Sequence, residues 1–222
     1  MASFILLGSK GGAGRTASSV VLATGLSAIG LRPLHLQITM PGVSPAIATA
    51  KGLPFSAAWI PEDRATRYSI HQAIAAHPEC TTLVIDMPKR TVREVGLFDL
   101  NAAVLFPVRR ASHEIEVAVR DYRDRDSQLE AVDDHDDIPP GRHCSGWLLP
   151  VGWPPSNIDH DFASSVARFD TSTRSGLSPL SILMPGIPEL PRDDLDDLIN
   201  GTSFHCSPMI ADAAILIARA AT

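Results

Sequence analysis

Short apolar runs alternate along the chain with stretches whose apolar residues recur at helical spacing. The runs predict six strands, at residues 4–7, 34–38, 82–85, 102–106, 146–151 and 180–184. The helical stretches cover residues 16–29, 112–125, 159–169, 191–199 and 208–221. Strands that alternate with helices in this way are typical of a parallel sheet covered by helices. The pattern therefore predicts an α/β fold, a three-layer domain with a mainly parallel twisted sheet and helices on both faces.

Residues at the ends of these stretches support the predicted boundaries. Gly30 suits the C-cap of the first helix, and Ser112 suits the N-cap of the helix that runs to about residue 125. Residues 126–142 contain five aspartates and two adjacent prolines, which predict a solvated acidic loop and not a metal site. Because the sequence shows no internal repeat and no linker, a single domain over residues 1–222 is the simplest interpretation.

The composition is that of a globular protein, with 45% hydrophobic and 20% charged residues. The net charge of −6 gives no overall basic field for DNA or an anionic membrane, although it leaves a local basic patch open. The three cysteines lie far apart, and the sequence shows neither a signal peptide nor an apolar stretch long enough to cross a membrane. We therefore predict a cytoplasmic protein with no membrane association.

A glycine-rich segment, GSKGGAGRT at residues 8–16, connects the first predicted strand to the first helix. Glycines allow positive φ angles and let backbone N–H groups face a phosphate, and the helix N-terminus adds unpaired donors. Lys10 and Arg15 add positive charge, and the Thr16 hydroxyl stands where it could reach Mg²⁺. The alternative is a glycine-rich turn with two surface cations. The position between a strand and a helix favours a phosphate-binding loop.

Residues 10–16, KGGAGRT, resemble the deviant Walker A motif KGGxGK[ST] of the ParA/MinD/nitrogenase iron protein family. The resemblance implies that Lys10 is the family's signature lysine, a catalytic residue that reaches across a nucleotide-bound dimer to the partner's phosphates. A homodimer that forms on nucleotide binding is expected on the same grounds. The resemblance also implies that ATP is held by Gly11, Gly12, Ala13, Gly14, Arg15, Thr16 and Ala17.

Two further segments extend the resemblance over about the first half of the chain. LVIDMP at residues 83–88 is similar to the family segment hhhhDxP, in which the aspartate organises Mg²⁺ and water. The resemblance thus implies a magnesium site at Thr16 and Asp86, with Asp86 also serving catalysis. From the residues alone, Asp86 could instead cap a following helix. AAVLFPV at residues 102–108 is similar to the next family strand, and the chain length is similar to that of short ParA-like proteins of plasmids and DNA transfer, including VirC-type proteins.

Two departures from the family pattern bear on catalysis. Arg15 stands where the family has its second lysine, and a guanidinium distributes charge differently from an ammonium group. Gln37 and Thr39 stand where the family has two aspartates after its second strand. Neither residue can act as a carboxylate base, although Gln37 could orient a water molecule through its amide. We therefore expect hydrolysis to be weak or lost.

The second half of the chain offers fewer functional signals. Trp153 could stack on a nucleotide base or could pack within its proline-rich loop. Arg120, Arg123 and Arg125 alternate with aspartates, which favours a solvated helix over a DNA-binding surface. The last helix carries a single cation, Arg219, and is interpreted as a packing helix and not as a membrane anchor.

Three functional hypotheses follow from these observations. The first is a ParA-like switch that dimerises with ATP and Mg²⁺ and engages DNA or a DNA-bound partner in plasmid partition or conjugative DNA transfer; the process rests on the resemblance alone. The second is a degenerate, non-hydrolysing binding or regulatory protein. The third is a metabolic relative that uses the same loop for amidation or kinase chemistry.

Overall fold

The computed structural model describes residues 1–8, 14–43, 45, 47, 50–88, 102–133, 146–154, 158–170, 180–191 and 208–222. Within these residues the chain alternates strands and helices, as the apolar pattern predicts. The elements are β1 Ala2–Gly8, α1 Arg15–Ala28, β2 Pro33–Thr39, β3 Ser56–Pro61, α2 Arg67–Ala75, β4 Thr82–Pro88, β5 Ala102–Arg109, α3 Ser112–Asp133, β6 Gly146–Val151, α4 Ile158–Ala167 and α5 Pro208–Ala221.

The six strands form one sheet in the order β3-β2-β4-β1-β5-β6. Every neighbouring pair in this sheet is parallel. In the register, Asp86 of β4 lies beside Leu6 of β1 on one side and beside Gln37 of β2 on the other. The predicted α/β class is therefore confirmed, with a sheet that is parallel throughout the described strands.

Helices cover both faces of the sheet, which gives the molecule the predicted three layers. On one face, α1 and α5 pack against the side chains of Phe4, Leu6 and Val84. On the other face, α2, α3 and α4 pack against a second apolar cluster that includes Ile5 and Ile85. This two-sided burial explains why the central strands are nearly continuous apolar runs. Over the described part of the chain, no helix combines the length and apolar character needed to cross a membrane.

The end of α1 has the predicted glycine cap. Gly30 has a φ of 89°, and its N–H donates to the Ser27 carbonyl at 3.0 Å. The Leu31 N–H donates to the Leu26 carbonyl, also at 3.0 Å, so the carbonyls of the last turn have partners. This arrangement requires a left-handed residue, which glycine adopts without steric cost.

Two elements, β3 and α2, are absent from the sequence prediction. The strand β3 lies at the edge of the sheet and reads SAAWIP, which is neither a long apolar run nor a clean alternation. The helix α2 spans nine residues and begins with a capping box between Thr66 and Ser69. Serine replaces the usual glutamate or glutamine at the third position of that box, so the sequence signal is weak.

The strand predicted at residues 180–184 is wrong. Only isolated bridges form beyond β6 in the described residues, between Leu148 and Ile182 and between Val151 and Ile187. Pro185 and Pro188 lack the N–H groups that a continuous ladder would need at this edge. The segment therefore follows β6 without becoming a strand.

The acidic loop predicted at residues 126–142 is also wrong over its first half, because α3 continues to Asp133. The sequence SQLEAVD at residues 127–133 holds several good helix formers and neither glycine nor proline, so nothing ends the helix earlier. The remainder of that loop lies outside the described residues, as does the helix predicted at residues 191–199. Helix α3 also begins one residue earlier than predicted. Ser112 is its first residue and not its N-cap, because the first helical hydrogen bond runs from the Ile115 N–H to the Ala111 carbonyl, at 3.0 Å.

Candidate functional site

The ends of β1 and β4 meet the beginning of α1 at the edge of the sheet where parallel strands terminate. Ligands of open α/β sheets bind at this edge. Gly14 precedes α1 with a φ of 80°, and its carbonyl accepts the Ser18 N–H at 2.8 Å. A Cβ atom at Gly14 would lie 3.3 Å from Val151 Cγ1. Both the backbone angle and the neighbouring side chain therefore favour glycine at this position.

Arg15 and Asp86 form an ion pair across this junction. Arg15 Nε donates to Asp86 Oδ1, and Arg15 Nη1 donates to the Gly8 carbonyl at 3.2 Å. The Asp86 side chain is fully buried, whereas 20% of the Arg15 side chain is exposed. Because a buried carboxylate without a counter-charge is strongly disfavoured, the ion pair with the guanidinium offsets the cost of burying Asp86.

Thr16 completes the hydrogen bonding of the same carboxylate. Its hydroxyl donates to Asp86 Oδ2 at 2.7 Å, so both oxygens of Asp86 have partners. The structure thus brings Asp86 together with Arg15 and Thr16, which precede it in the sequence by 71 and 70 positions. Ala17, the next residue of α1, is buried among the residues packed on the sheet and presents no side-chain chemistry. Lys10, Gly11, Gly12 and Ala13 lie outside the described residues.

Beneath Thr16 lies a buried polar pair that sequence reasoning missed. Ser19 Oγ donates to the Thr16 carbonyl at 2.8 Å and lies 2.8 Å from His35 Nε2. Since the serine proton is used on that carbonyl, His35 Nε2–H is the donor to Ser19. Burial lowers the pKa of His35 from 6.5 to about 4, although the charge of Asp86 acts in the opposite direction. His35 is therefore neutral at physiological pH. A polar residue within the apolar run of β2 is the signal that could have identified it.

Gln37 and Thr39, which replace the two aspartates of the family pattern, have different surroundings. Gln37 lies beside Asp86 in the sheet, and its Oε1 is buried without a hydrogen-bond partner in the described residues. The Thr39 hydroxyl donates to the Val43 carbonyl at 2.9 Å and so stabilises the turn after β2. Among the described residues, Gln37 therefore presents an acceptor oxygen without a partner in the strand beside Asp86.

The oxygen atoms at this edge suit Mg²⁺ that is bound together with a nucleotide. Asp86 contributes a carboxylate, Thr16 a hydroxyl oxygen, and Gln37 an amide oxygen that has no other partner. Magnesium at nucleotide sites is commonly held by one or two protein carboxylates and the substrate phosphates. The described residues contain no group of three histidines, cysteines or acids that could hold a metal by itself. Phosphate oxygens would complete the coordination of an ion at this site.

Trp153 packs within the protein and does not offer a face to a base. The indole is buried, and its Nε1–H donates to the Val108 carbonyl at 3.0 Å. The Phe162 ring meets it edge to face, with 4.9 Å between the ring centroids. Of the two interpretations left open by the sequence, loop packing is therefore the one that applies.

Arg123 lies on helix α3, in which arginines alternate with aspartates, and it binds a residue of another segment of the protein. Its Nη2 donates to both carboxylate oxygens of Asp170, at 2.9 and 3.0 Å. Its guanidinium carbon lies 5.6 Å from the centroid of the Tyr122 ring. This arginine joins α3 to the segment after α4 and is not an isolated surface charge for DNA.

Comparison with known proteins identifies the fold. No protein-family model matches the chain, and no curated protein matches it. Among solved structures, the MinC:MinD cell division protein complex of Aquifex aeolicus is 15% identical, covers 99% of this chain and 94% of that one, and gives a TM-score of 0.58. A protein assigned to plasmid partition in Borrelia burgdorferi, bound to AMPPNP, is 12% identical over 99% and 98% of the two chains, with a TM-score of 0.54.

A third solved structure, of an enzyme, is similar to the same extent. Cobyrinic acid a,c-diamide synthase of Mycobacterium smegmatis, with bound ADP and magnesium, is 17% identical over 89% and 94% of the two chains, with a TM-score of 0.55. Together these likenesses confirm the predicted fold, which this chain shares with MinD and with the plasmid partition protein. At 12 to 17% identity they establish the fold and not the activity.

Proposed function

We propose that this protein binds ATP at the loop of residues 10–16 and works as a ParA-like, nucleotide-dependent switch. The observation that supports the proposal is the convergence of Gly14, Arg15, Thr16 and Asp86 at the start of α1. A helix N-terminus with a cation and a hydroxyl beside it is suited to phosphate oxygens. The fold shared with proteins whose structures contain AMPPNP or ADP supports the same ligand class.

In this proposal each loop residue has a defined role. Backbone N–H groups of residues 11–17 hold the phosphates, and the Arg15 guanidinium adds positive charge beside them. Mg²⁺ that accompanies ATP would be held by the Thr16 hydroxyl and organised by Asp86, and it would neutralise phosphate charge. Lys10 reaches across a homodimer to the partner's nucleotide.

Hydrolysis by this site is proposed to be weak. The residue beside Asp86 in β2 is the neutral Gln37, and the Thr39 hydroxyl already donates to the Val43 carbonyl. Neither Gln37 nor Thr39 carries a carboxylate that could take a proton from an attacking water. The unpaired oxygen of Gln37 could still accept a hydrogen bond from that water, which allows a slow reaction.

The cellular role that we propose is partition or transfer of DNA in the cytoplasm. Among the solved structures with this fold, one protein is assigned to plasmid partition and another structure is the MinC:MinD cell division protein complex. By analogy, the ATP-bound dimer of this protein would engage DNA or a DNA-bound partner protein. All 222 residues are proposed to form one domain without membrane association.

Light scattering after gel filtration, with and without ATP, tests the switch. The wild type should become a dimer with ATP, and Lys10→Ala should remain a monomer. Lys51→Ala is the matched control, because Lys51 is exposed and lies outside the loop. Phosphate release is measured on the same samples. A monomer in every condition, from a wild type that binds ATP, would contradict the switch.

A second candidate function is a binding or regulatory protein that does not hydrolyse ATP. The neutral Gln37 beside Asp86 and the Thr39 hydroxyl bound in the turn favour it. ATP-dependent dimers without any phosphate release would support this candidate. Phosphate release that disappears in Lys10→Ala would instead support a slow ATPase. Because one solved structure with this fold is a diamide synthase, a metabolic enzyme is a third candidate. A metabolite screen that finds no product would exclude it.

A further inference from the structure

The chain itself supplies a counter-charge to Asp86. Its buried carboxylate accepts from Arg15 Nε at Oδ1 and from the Thr16 hydroxyl at Oδ2. Neutralising a buried carboxylate and the phosphates near it is the contribution that a divalent cation makes at nucleotide sites. Here the guanidinium already supplies positive charge at the carboxylate.

The same guanidinium has donors left for an anion. Its Nε is used on Asp86 and its Nη1 on the Gly8 carbonyl, so both N–H groups of Nη2 remain available among the described contacts. One fifth of the side chain, 20%, is exposed at the start of α1. A planar fork can therefore hold Asp86 with one edge and a phosphate oxygen with another.

We propose that the Arg15 guanidinium supplies the positive charge that Asp86 and the phosphates require, so that this protein binds nucleoside triphosphate with or without Mg²⁺. The inference rests on the proposed function, since it concerns the same site. Thr16 and Asp86 can still hold Mg²⁺ that accompanies ATP, but the affinity for ATP does not depend on the metal. The charge balance around the phosphates comes from the protein.

Arg15→Lys separates this account from an ordinary nucleotide site. A lysine ammonium is a compact point charge, and it cannot contact Asp86 and a phosphate with the two edges of one rigid group. When it binds the phosphates, Asp86 loses its counter-charge and repels them, and Mg²⁺ is then needed. Arg15→Lys should therefore bind ATP tightly only when the metal is present.

The experiment measures ATP affinity by calorimetry, in Mg²⁺ and in EDTA, for full-length protein. Wild-type affinity should differ by less than about threefold between the two buffers, and Arg15→Lys should lose about tenfold or more in EDTA. Arg32→Lys makes the same change at an exposed position before β2, at the opposite end of the sheet, and should behave as wild type. Arg15→Lys/Asp86→Asn removes the carboxylate charge and should regain binding in EDTA. Tight binding of ATP by Arg15→Lys in Mg²⁺ shows that the single variant is folded.

Each of the other possible outcomes would overturn the inference. A wild type that loses tenfold or more of its affinity in EDTA overturns the inference but leaves the proposed function standing. An Arg15→Lys variant as insensitive to EDTA as the wild type also overturns it, because the independence would not come from Arg15. A wild type that binds no ATP in either buffer refutes the proposed function, and the inference with it.

Discussion

Replacing Arg15 with alanine should destabilise the protein, because it leaves the buried Asp86 carboxylate without its counter-charge. Loss of one partner of a buried ion pair costs roughly 3–5 kcal/mol in unfolding free energy. Two features of this pair reduce the figure. Asp86 keeps the hydrogen bond from the Thr16 hydroxyl, and the Arg15 side chain is 20% exposed, so water can replace part of the guanidinium. We therefore expect a loss of about 2–4 kcal/mol.

Urea unfolding at pH 7 without nucleotide measures this loss directly. The slope of free energy against urea should be unchanged, so that the shift in midpoint reports stability alone. Arg32→Ala, at an exposed position, is the control and should stay within about 0.5 kcal/mol of wild type. The double variant Arg15→Ala/Asp86→Asn removes the unpaired charge and should recover at least about 1 kcal/mol of the loss.

A loss below about 0.5 kcal/mol in Arg15→Ala would refute this reasoning. It would mean that Asp86 is hydrated in solution or that Arg15 points elsewhere. Failure of the double variant to recover stability would also count against the ion pair, because the two side chains would then act independently.

Three further predictions concern other parts of the fold. The pKa of histidine is 6.5 in the unfolded chain but about 4 for buried His35, so between pH 7 and pH 4 the unfolded chain binds a proton that the folded protein does not. As pH falls from 7 to 4, the free energy of unfolding of wild type should therefore decrease by about 3 kcal/mol more than that of His35→Gln. An equal decrease for the two proteins would contradict this. Gly25→Ala would set a Cβ atom 1.9 Å from the Ala214 carbonyl oxygen, and a thermal melt should show a loss of about 2 kcal/mol that Ala214→Gly does not rescue; a stabilised variant would argue against this contact. Trp153→Phe removes the hydrogen bond to the Val108 carbonyl and should cost about 1–2 kcal/mol in urea unfolding, with ATP affinity kept; a large fall in affinity would restore the base-stacking interpretation.

The central strands could be predicted from sequence because both of their faces are buried. Strand β6 is the last strand of the sheet, but both of its faces are also buried, and it has the predicted bounds, as has helix α5. Prediction failed where burial is one-sided or where prolines intervene. In the edge strand β3, apolar and polar residues do not alternate clearly. The apolar run at residues 180–184, after β6, is followed directly by Pro185. A short apolar run does not by itself distinguish a strand from a segment that only borders the sheet.

The glycine-rich loop and Asp86 could be identified from sequence because their residue types stand at the ends of predicted elements. Their mutual contacts could not, because the pairing of Arg15 with Asp86 depends on the register between β1 and β4. The Ser19–His35 pair could not be predicted either, because it joins α1 to β2 through the packed interior. Spacing along the chain carries no information about such cross-element contacts.

Equilibrium dialysis with labelled ATP, on wild type and on Gly14→Ala, tests the central claim that the start of α1 receives a nucleotide. Gly14 and Gly30 both have positive φ, 80° and 89°, and stand at opposite ends of the same helix. Gly30→Ala therefore imposes a similar backbone strain away from the site. We expect wild type and Gly30→Ala to bind one ATP per chain and Gly14→Ala to lose most of its affinity. Absence of saturable binding to wild type, or equal binding by all three proteins, would contradict the account.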